Sequence, residues 1–401
     1  MPTIAEHLEP HTVSIDELHG TYSPMLHTVN ELIGVVPDCD TYLEIWPPGF
    51  RTYNLCVPNF LNLPASIVKR DGVKAQMGLA MYIASRAAGC PYCSAHTCSF
   101  ALRRGATREA IDGSNRTDLE QAVVDLAEAM SNTPAEWDPA VVDRVGRFLS
   151  ADDIEWVAMS VGMMGFLNKF MDAIAVPLEL EAINDVAELI EPTGWDVGQS
   201  GWRNGARERL NATVPVDSAA TIGRVLRRGP KAVKIERGWT KHLPKTAPDL
   251  RKYLLTAYGV DVALLTRFRH TTPMRALAAM LDQNLDPSLS EVGVGRKALA
   301  GLVFANEVDN EMLRTHAHAL LVANRVDTGV INAVAAGGVP RGDEVTAAVV
   351  AFAQAIAPSP AMVTDELAAE VTSMLSPAQV IEVAVYVSVQ QAMHRMSLFY
   401  S

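Results

Sequence analysis

Apolar residues recur at helical spacing through most of the chain, and the clearest runs carry their own start signals. Thr117-Asp-Leu-Glu120 is a capping box, in which a hydroxyl and a carboxylate satisfy exposed N–H groups at a helix head. It predicts a helix from Leu119 to Met130. Ser150 with Asp153 opens a long apolar helix from Ile154 to about Ile174. Ser376-Pro-Ala-Gln379 opens another from Val380 to about Phe399, with Pro377 at the tolerated first position. Period-two alternation is rare, so the pattern predicts an all-α protein with little strand.

The last two helices expose a repeat. Ser-Ala-Asp-Asp-Ile-Glu-Trp-Val-Ala-Met-Ser-Val from Ser150 is similar to Ser-Pro-Ala-Gln-Val-Ile-Glu-Val-Ala-Val-Tyr-Val from Ser376. Each follows an amphipathic helix, and each is preceded by a comparable helix pair: Ala84 to Gly105 with His96, and Phe304 to Arg325 with His316 and His318. A tandem duplication of one helical unit is the expectation. Pro192 to Gly205, rich in Gly and turn formers, is the natural linker. The chain then divides into an irregular N-terminal arm (1–60, with Trp46-Pro-Pro-Gly49), a first helical domain (61–195), a linker region (196–250) and a second helical domain without cysteines (251–401).

Composition narrows the class. Length 401 suggests two or three domains, and 49% apolar with 20% charged residues fits a core-forming chain. Only 6% are aromatic, a balance that suits helix-on-helix packing. A net charge of −12 argues against nucleic acid or an anionic membrane as the main partner. The stretch Arg224, Arg227, Arg228, Lys231, Lys234, Arg237, Lys241 and Lys245 runs against this trend. It reads as a solvated basic segment beside the domain junction, with a docking patch for an anionic partner as the alternative. The N-terminal residues show no signal-peptide pattern and no apolar stretch reaches the length of a membrane span, so a cytoplasmic location is expected. In a reducing compartment a close cysteine pair is redox-active or metal-binding rather than a structural bridge.

Such a pair stands in Gly89-Cys-Pro-Tyr-Cys-Ser-Ala-His96. Lys74 to Ala88 reads as a helix, Gly89 breaks it, and Pro91 favours a first helical position, making Cys90 the N-cap of the next helix. Cys93 then lies in the first turn, where free N–H groups and the macrodipole favour a thiolate. His96 is about 60° round the helix from Cys93 and can act as base or ion-pair partner. Zinc would need four ligands, and Cys98, about 140° away, does not complete the set. Cys39 and Cys56 read as packing residues. Arg86, four residues before Cys90, is placed to support a thiolate or to make a surface ion pair.

Gly89-Cys-Pro-Tyr-Cys-Ser-Ala-His96, followed by Ala101-Leu-Arg-Arg-Gly-Ala-Thr-Arg-Glu-Ala-Ile111 and by Gly165-Phe-Leu-Asn-Lys-Phe-Met-Asp172, resembles the alkylhydroperoxidase D / carboxymuconolactone decarboxylase superfamily over residues 55–180, and more faintly over 265–400. The resemblance implies two tandem alkylhydroperoxidase D-like helical domains forming a pseudo-dimer, and a homo-oligomer as a dimer of pseudo-dimers. It implies Cys93 as attacking thiolate and Cys90 as resolving thiol, with a nearby histidine and a glutamate on the preceding helix as proton relay. No bound cofactor is implied; the reductant is an external dithiol, a donor protein or a lipoyl-type group, and the substrate a peroxide or other electrophilic small molecule.

Two positions depart from the family pattern. Its histidine falls where Thr97 stands, one residue after His96, and the preceding helix reads Gln76-Met-Gly-Leu-Ala80 with no acid. In the second unit, Asn310 to Leu313 replaces the dithiol, and His316 and His318 point about 200° apart. His316 is a candidate for sharing the first site; Asn168 and His394 occupy corresponding places in the closing helices. The leading expectation is a thiol–disulfide enzyme. The alternatives are a lyase or isomerase using His96, Tyr92 and Arg86 for acid–base work on a small carboxylated substrate, and a non-catalytic redox-sensing or assembly module.

Overall fold

In the computed structural model, which describes residues 3–68, 73–184, 186–198, 201 and 217–401, the regular elements are helices, and the chain is all-α. The principal ones are α1 (Ile15–Ile33), α2 (Pro47–Phe60), α3 (Lys74–Ala87), α4 (Pro91–Arg103), α5 (Asp118–Ser131), α6 (Ala151–Ile174), α7 (Ala219–Thr240), α8 (Thr271–Leu285), α9 (Val294–Glu307), α10 (Glu311–Ala323), α11 (Glu344–Ile356) and α12 (Pro377–Phe399). The predicted caps form. The Thr117 hydroxyl accepts from the Glu120 N–H at 3.2 Å while the Glu120 carboxylate accepts from the Thr117 N–H at 2.8 Å. Ser376 and Gln379 do the same for α12, and Ser150 accepts from the Asp153 N–H at the head of α6.

Two regions differ from expectation. The described part of the expected irregular arm, residues 3–60, is largely helical. Ser14 and Glu17 build a capping box for α1, and Trp46-Pro-Pro-Gly49 starts α2, because a proline in the first turn lacks only an N–H that would have had no partner. α2 packs on α8, and Trp46, Phe50 and Phe60 are wholly buried, so this segment belongs to the core. The 196–250 region carries the 22-residue helix α7, which lies along α1. Residues 199–200 and 202–205 of the expected linker lie outside the described residues.

The order α3–α4–α5–α6 recurs as α9–α10–α11–α12, with 14, 13, 14 and 24 residues against 14, 13, 13 and 23. The most extensive helix–helix packing in the molecule joins the two closing helices, α6 and α12. Gly165 permits it: a Cβ there would stand 3.0 Å from the Gln391 carbonyl and 3.1 Å from the Ala392 Cα. Both helices are buried along most of their length, so the charges in their middle turns, Lys169 of α6 and Glu382 and Arg395 of α12, are surrounded by protein. Among the described residues, no single helix is long and apolar enough to cross a membrane.

Candidate active site

Gly89 adopts φ +66°, a conformation open to glycine at little cost, and turns the chain from α3 into α4. Cys90 is the N-cap: its Sγ accepts from the Cys93 N–H at 3.4 Å, and Pro91 is the first helical residue, as the sequence predicts. Both cysteines are free thiols, and both are buried, Cys90 at 1% and Cys93 at 3% exposure. The expectation of an activated thiolate does not hold for this state. Burial pushes the Cys93 thiol well above its ordinary range, and the adjoining Cys90 sulfur adds to the shift. The partial positive charge of one helix end does not replace the water that a thiolate loses.

Cys93 faces an apolar cavity of about 70 Å³ whose wall includes Tyr53, Met81, Phe100, Met163 and Met171; Cys90 is not part of that wall. Tyr92, His96 and Thr97 also line it. Cys39, read from sequence as a packing residue, faces the same space. Thr97 turns its hydroxyl back to the Cys93 carbonyl at 2.6 Å.

A buried carboxylate reaches the dithiol region from outside the preceding helix. Glu179, beyond the end of α6, is 4% exposed and accepts the Tyr92 phenol at 2.7 Å and the Asp38 backbone N–H. Its other oxygen stands 3.2 Å from Nε2 of His96, as an ion pair without the alignment of a hydrogen bond. His96 Nδ1 lies 2.9 Å from the Tyr92 carbonyl, which can only accept, so Nδ1 carries a hydrogen. A neutral ring would then turn the Nε2 lone pair on the carboxylate; the imidazolium avoids this. Burial works against the His96 cation, but Glu179 outweighs it and His96 is raised. Burial likewise opposes the Glu179 anion, yet His96 holds it below its ordinary value. Nearby, Asp40 is wholly buried, neither carboxyl oxygen has a hydrogen-bond partner among the described residues, and burial pushes it well above the usual carboxylate range.

A buried cation stands on α12. Arg395 of α12 is 1% exposed; one guanidinium nitrogen donates to the Val161 carbonyl at 3.2 Å and Nε has no partner among the described residues. It lies within electrostatic range of both sulfurs: burial lowers it, and Cys93 and Cys90 oppose the shift. Lys169 of α6 donates to the Ala357 carbonyl and the Ser359 hydroxyl, each at 2.9 Å, and Asp172 accepts from the Ala361 N–H. The Ala357–Ala361 loop is thereby held against the dithiol turn, where a Cβ on Gly89 would meet Pro360 at 3.3 Å.

Other predicted residues lie elsewhere. Arg86 is exposed, reaches the Thr193 carbonyl at 3.4 Å, and is not a thiolate partner. His316 sits 3.1 Å from the Asp261 carbonyl and does not line the Cys93 cavity. His318 is exposed, Cys56 and Cys98 are buried outside the cavity, and Asn168 donates to the Ala84 carbonyl. Among the described residues no group of three His, Cys, Asp or Glu side chains is arranged to hold a metal ion. Sequence reasoning missed Glu179, Arg395, Asp40 and the placement of Cys39. A signal was present for Arg395 alone, as a charge inside an apolar helix.

No family model matches the chain, and no curated protein does. Two solved structures match: the debrominase Bmp8 without ligand (22% identity, 44% of this chain, 96% of that chain, TM-score 0.38), and a variant of that debrominase in complex with 2,3,4-tribromopyrrole (21% identity, 45% and 96% coverage, TM-score 0.39). At this identity and score the likeness carries no functional conclusion.

Proposed function

We propose that this protein is a thiol–disulfide oxidoreductase of the alkylhydroperoxidase D / carboxymuconolactone decarboxylase type, acting on a peroxide or another electrophilic small molecule. The observation that carries this reading is the division of labour in the dithiol: Cys93 faces the cavity, while Cys90 stands behind it at hydrogen-bond distance from the Cys93 N–H. With a peroxide ROOH, the Cys93 thiolate attacks the outer oxygen. The O–O bond breaks, an S–O bond forms, and the alkoxide leaves as ROH after taking a proton. His96 and Tyr92, both held by Glu179 and both lining the cavity, are the nearest proton donors. The Cys90 sulfur then attacks the Cys93 sulfenic sulfur as its thiol proton is lost; the S–O bond breaks, the departing hydroxide takes up a proton and leaves as water, and the disulfide formed is reduced by an external dithiol. Arg395 is the counter-charge for the thiolate, which burial otherwise disfavours. The two repeats act as one unit in this reading, as a fused pseudo-dimer would.

Stoichiometric peroxide followed by peptide mapping tests the proposal: a Cys90–Cys93 disulfide is the expected product, and Cys93→Ser is expected to lose peroxide consumption by about a thousandfold. Thiols that stay reduced under peroxide would overturn it. The His96–Glu179–Tyr92 group favours a second reading, acid–base lyase chemistry without sulfur. In that case Cys93→Ser keeps its turnover while His96→Gln does not.

A further inference from the structure

The cavity at Cys93 has a larger neighbour. A groove of about 580 Å³ runs beneath α7, and its wall shares Val29, Leu32, Tyr53 and Val57 with the cavity. A molecule lying in the groove is therefore one layer of side chains from the Cys93 sulfur. That volume is ordinary for a small-molecule site and too small for a folded partner.

The lining is divided. Met25, Val57, Val225 and Val233 give the groove apolar walls, whereas Arg237, Lys241, Lys245 and Arg275 place four cations on it against one carboxylate, Glu236. Burial raises Glu236, while its hydrogen bond from Asn59 and the charges of Arg275 and Arg237 work the other way. The basic run of α7 is thus not uniform. At its N-terminal end, Arg224 and Arg228 are taken up by Glu31 at 2.6 and 3.2 Å. At the groove, none of the four cations has an ion-pair partner among the described residues, and Arg275 Nε is buried without a hydrogen bond. A chain of net charge −12 that keeps unpaired cations in one apolar groove attracts a small anion there while repelling polyanions.

We infer that the groove binds a monoanionic amphipath of the fatty-acid type, its head on the Arg237, Lys241, Lys245 and Arg275 cluster and its apolar body directed toward the Cys93 cavity. This rests on Cys93 being the reacting group, as proposed above, and it narrows the substrate class to apolar molecules that carry one carboxylate. Solvated cations pull the head to the rim, and Val29, Leu32 and Val57, which line both spaces, present an apolar surface to the body on the side of the Cys93 cavity.

Decanoate and decanol, identical but for the head, are the probes. In calorimetric titration of the full chain, decanoate is expected to bind at least about tenfold more tightly than decanol, the scale of a charge-assisted contact. Saturating decanoate is expected to slow alkylation of Cys93 by iodoacetamide at least about fivefold, as an occupant of the path must. In the Arg237→Gln/Arg275→Gln variant the preference for the acid should vanish; if that variant does not fold, the comparison in the native chain decides alone. Equal affinity for the two probes, no binding of either, or binding that leaves Cys93 alkylation unchanged would each overturn the inference. Neither readout requires turnover. A protein that binds decanoate in this way yet forms no Cys90–Cys93 disulfide refutes the redox reading and leaves the ligand class standing.

Discussion

The turn Ala88-Gly89-Cys90 that leads into α4 and the turn Val308-Asp309-Asn310 that leads into α10 follow one backbone path. The N-cap residues have φ/ψ of −98°/100° and −111°/108°, and each is preceded by a residue with positive φ, Gly89 at 66° and Asp309 at 48°. Each N-cap side chain accepts from the N–H three residues on, Cys90 Sγ at 3.4 Å and Asn310 Oδ1 at 3.0 Å. A histidine follows six residues later in both. Chemistry parts company where geometry does not. The Asn310 amide is tied to His394 and Ser397 of α12, whereas the Cys90 sulfur stays within its own turn, beside Cys93 and within electrostatic range of Arg395. His316 is lowered by burial with only a backbone carbonyl at Nε2, while His96 is raised because Glu179 stands there instead. One scaffold thus gives a helix capped by an amide in one half and a helix capped by the first sulfur of a buried dithiol in the other. The difference is set by residues remote in sequence from the turn.

The strongest way to break the comparison is to make His96 resemble His316. Glu179→Gln removes the buried partner, and breaking a buried ion pair from one side costs about 3–5 kcal/mol. The pH window follows from the two shifts. His96 is raised, so its share of stability is complete below the ordinary 6.5 and is lost as pH rises through its folded pKa. Glu179 is lowered, so its share is complete above the ordinary 4.5 and is lost as pH falls through its folded pKa. Urea unfolding is therefore expected to show the largest gap between native and variant chains between pH 4.5 and 6.5, closing on either side. NMR titration should place His96 lower in the variant. A gap independent of pH would show that Glu179 acts through its backbone and phenol contacts alone.

A smaller effect is expected from taking away what the second repeat lends the first. Arg395→Met keeps the bulk of the side chain in α12 and removes the charge near both sulfurs. An opposite charge at close range shifts an acid by about 1–3 pH units, so Cys93 alkylation at neutral pH should slow about ten- to hundredfold, with its pH profile displaced upward. Replacing a buried charge by an apolar isostere is often neutral for stability, so the melting temperature serves as the control. An unchanged profile would leave α12 as a packing partner only.

How much of this was legible in the sequence depends on how local each feature is. Ser150, Thr117 and Ser376 announce their helices because a cap and its N–H lie within one turn, and Gly89-Cys-Pro does so for the same reason. The N-terminal helices were missed because Trp46-Pro-Pro-Gly49 carries loop residues that a first turn also accepts. Glu179 lies 87 positions from Tyr92 in an irregular segment, where no periodicity links it to the dithiol. Cys39 looked isolated for the same reason. Arg395 was the legible exception: Gln390-Gln-Ala-Met-His-Arg395 interrupts an apolar helix, and a charge so placed is buried only where something faces it. The expected thiolate failed on burial, a tertiary property that the helix dipole alone cannot foretell.

The smallest effect sharpens the comparison at the one position where both turns need positive φ. Gly89→Ala places a side chain in a left-handed conformation, at about 1–2 kcal/mol, and its Cβ would press on Pro360 at 3.3 Å. Asp309→Gly is the reciprocal change. Aspartate already tolerates this conformation, so the strain relieved is slight, and the added freedom of the unfolded chain offsets it to within about 0.5 kcal/mol. The same change removes the Asp309–Arg314 ion pair, which is solvent-exposed on the Asp309 side and adds little. Chemical denaturation of the two variants should thus give unequal costs for the same backbone site. The Gly89 variant should, in addition, alter the alkylation rate of Cys93, because Pro360 belongs to the loop that Lys169 holds over the dithiol. Equal costs, with Cys93 reactivity unmoved, would mean that the Ala357–Ala361 loop lies beside the turn without constraining it.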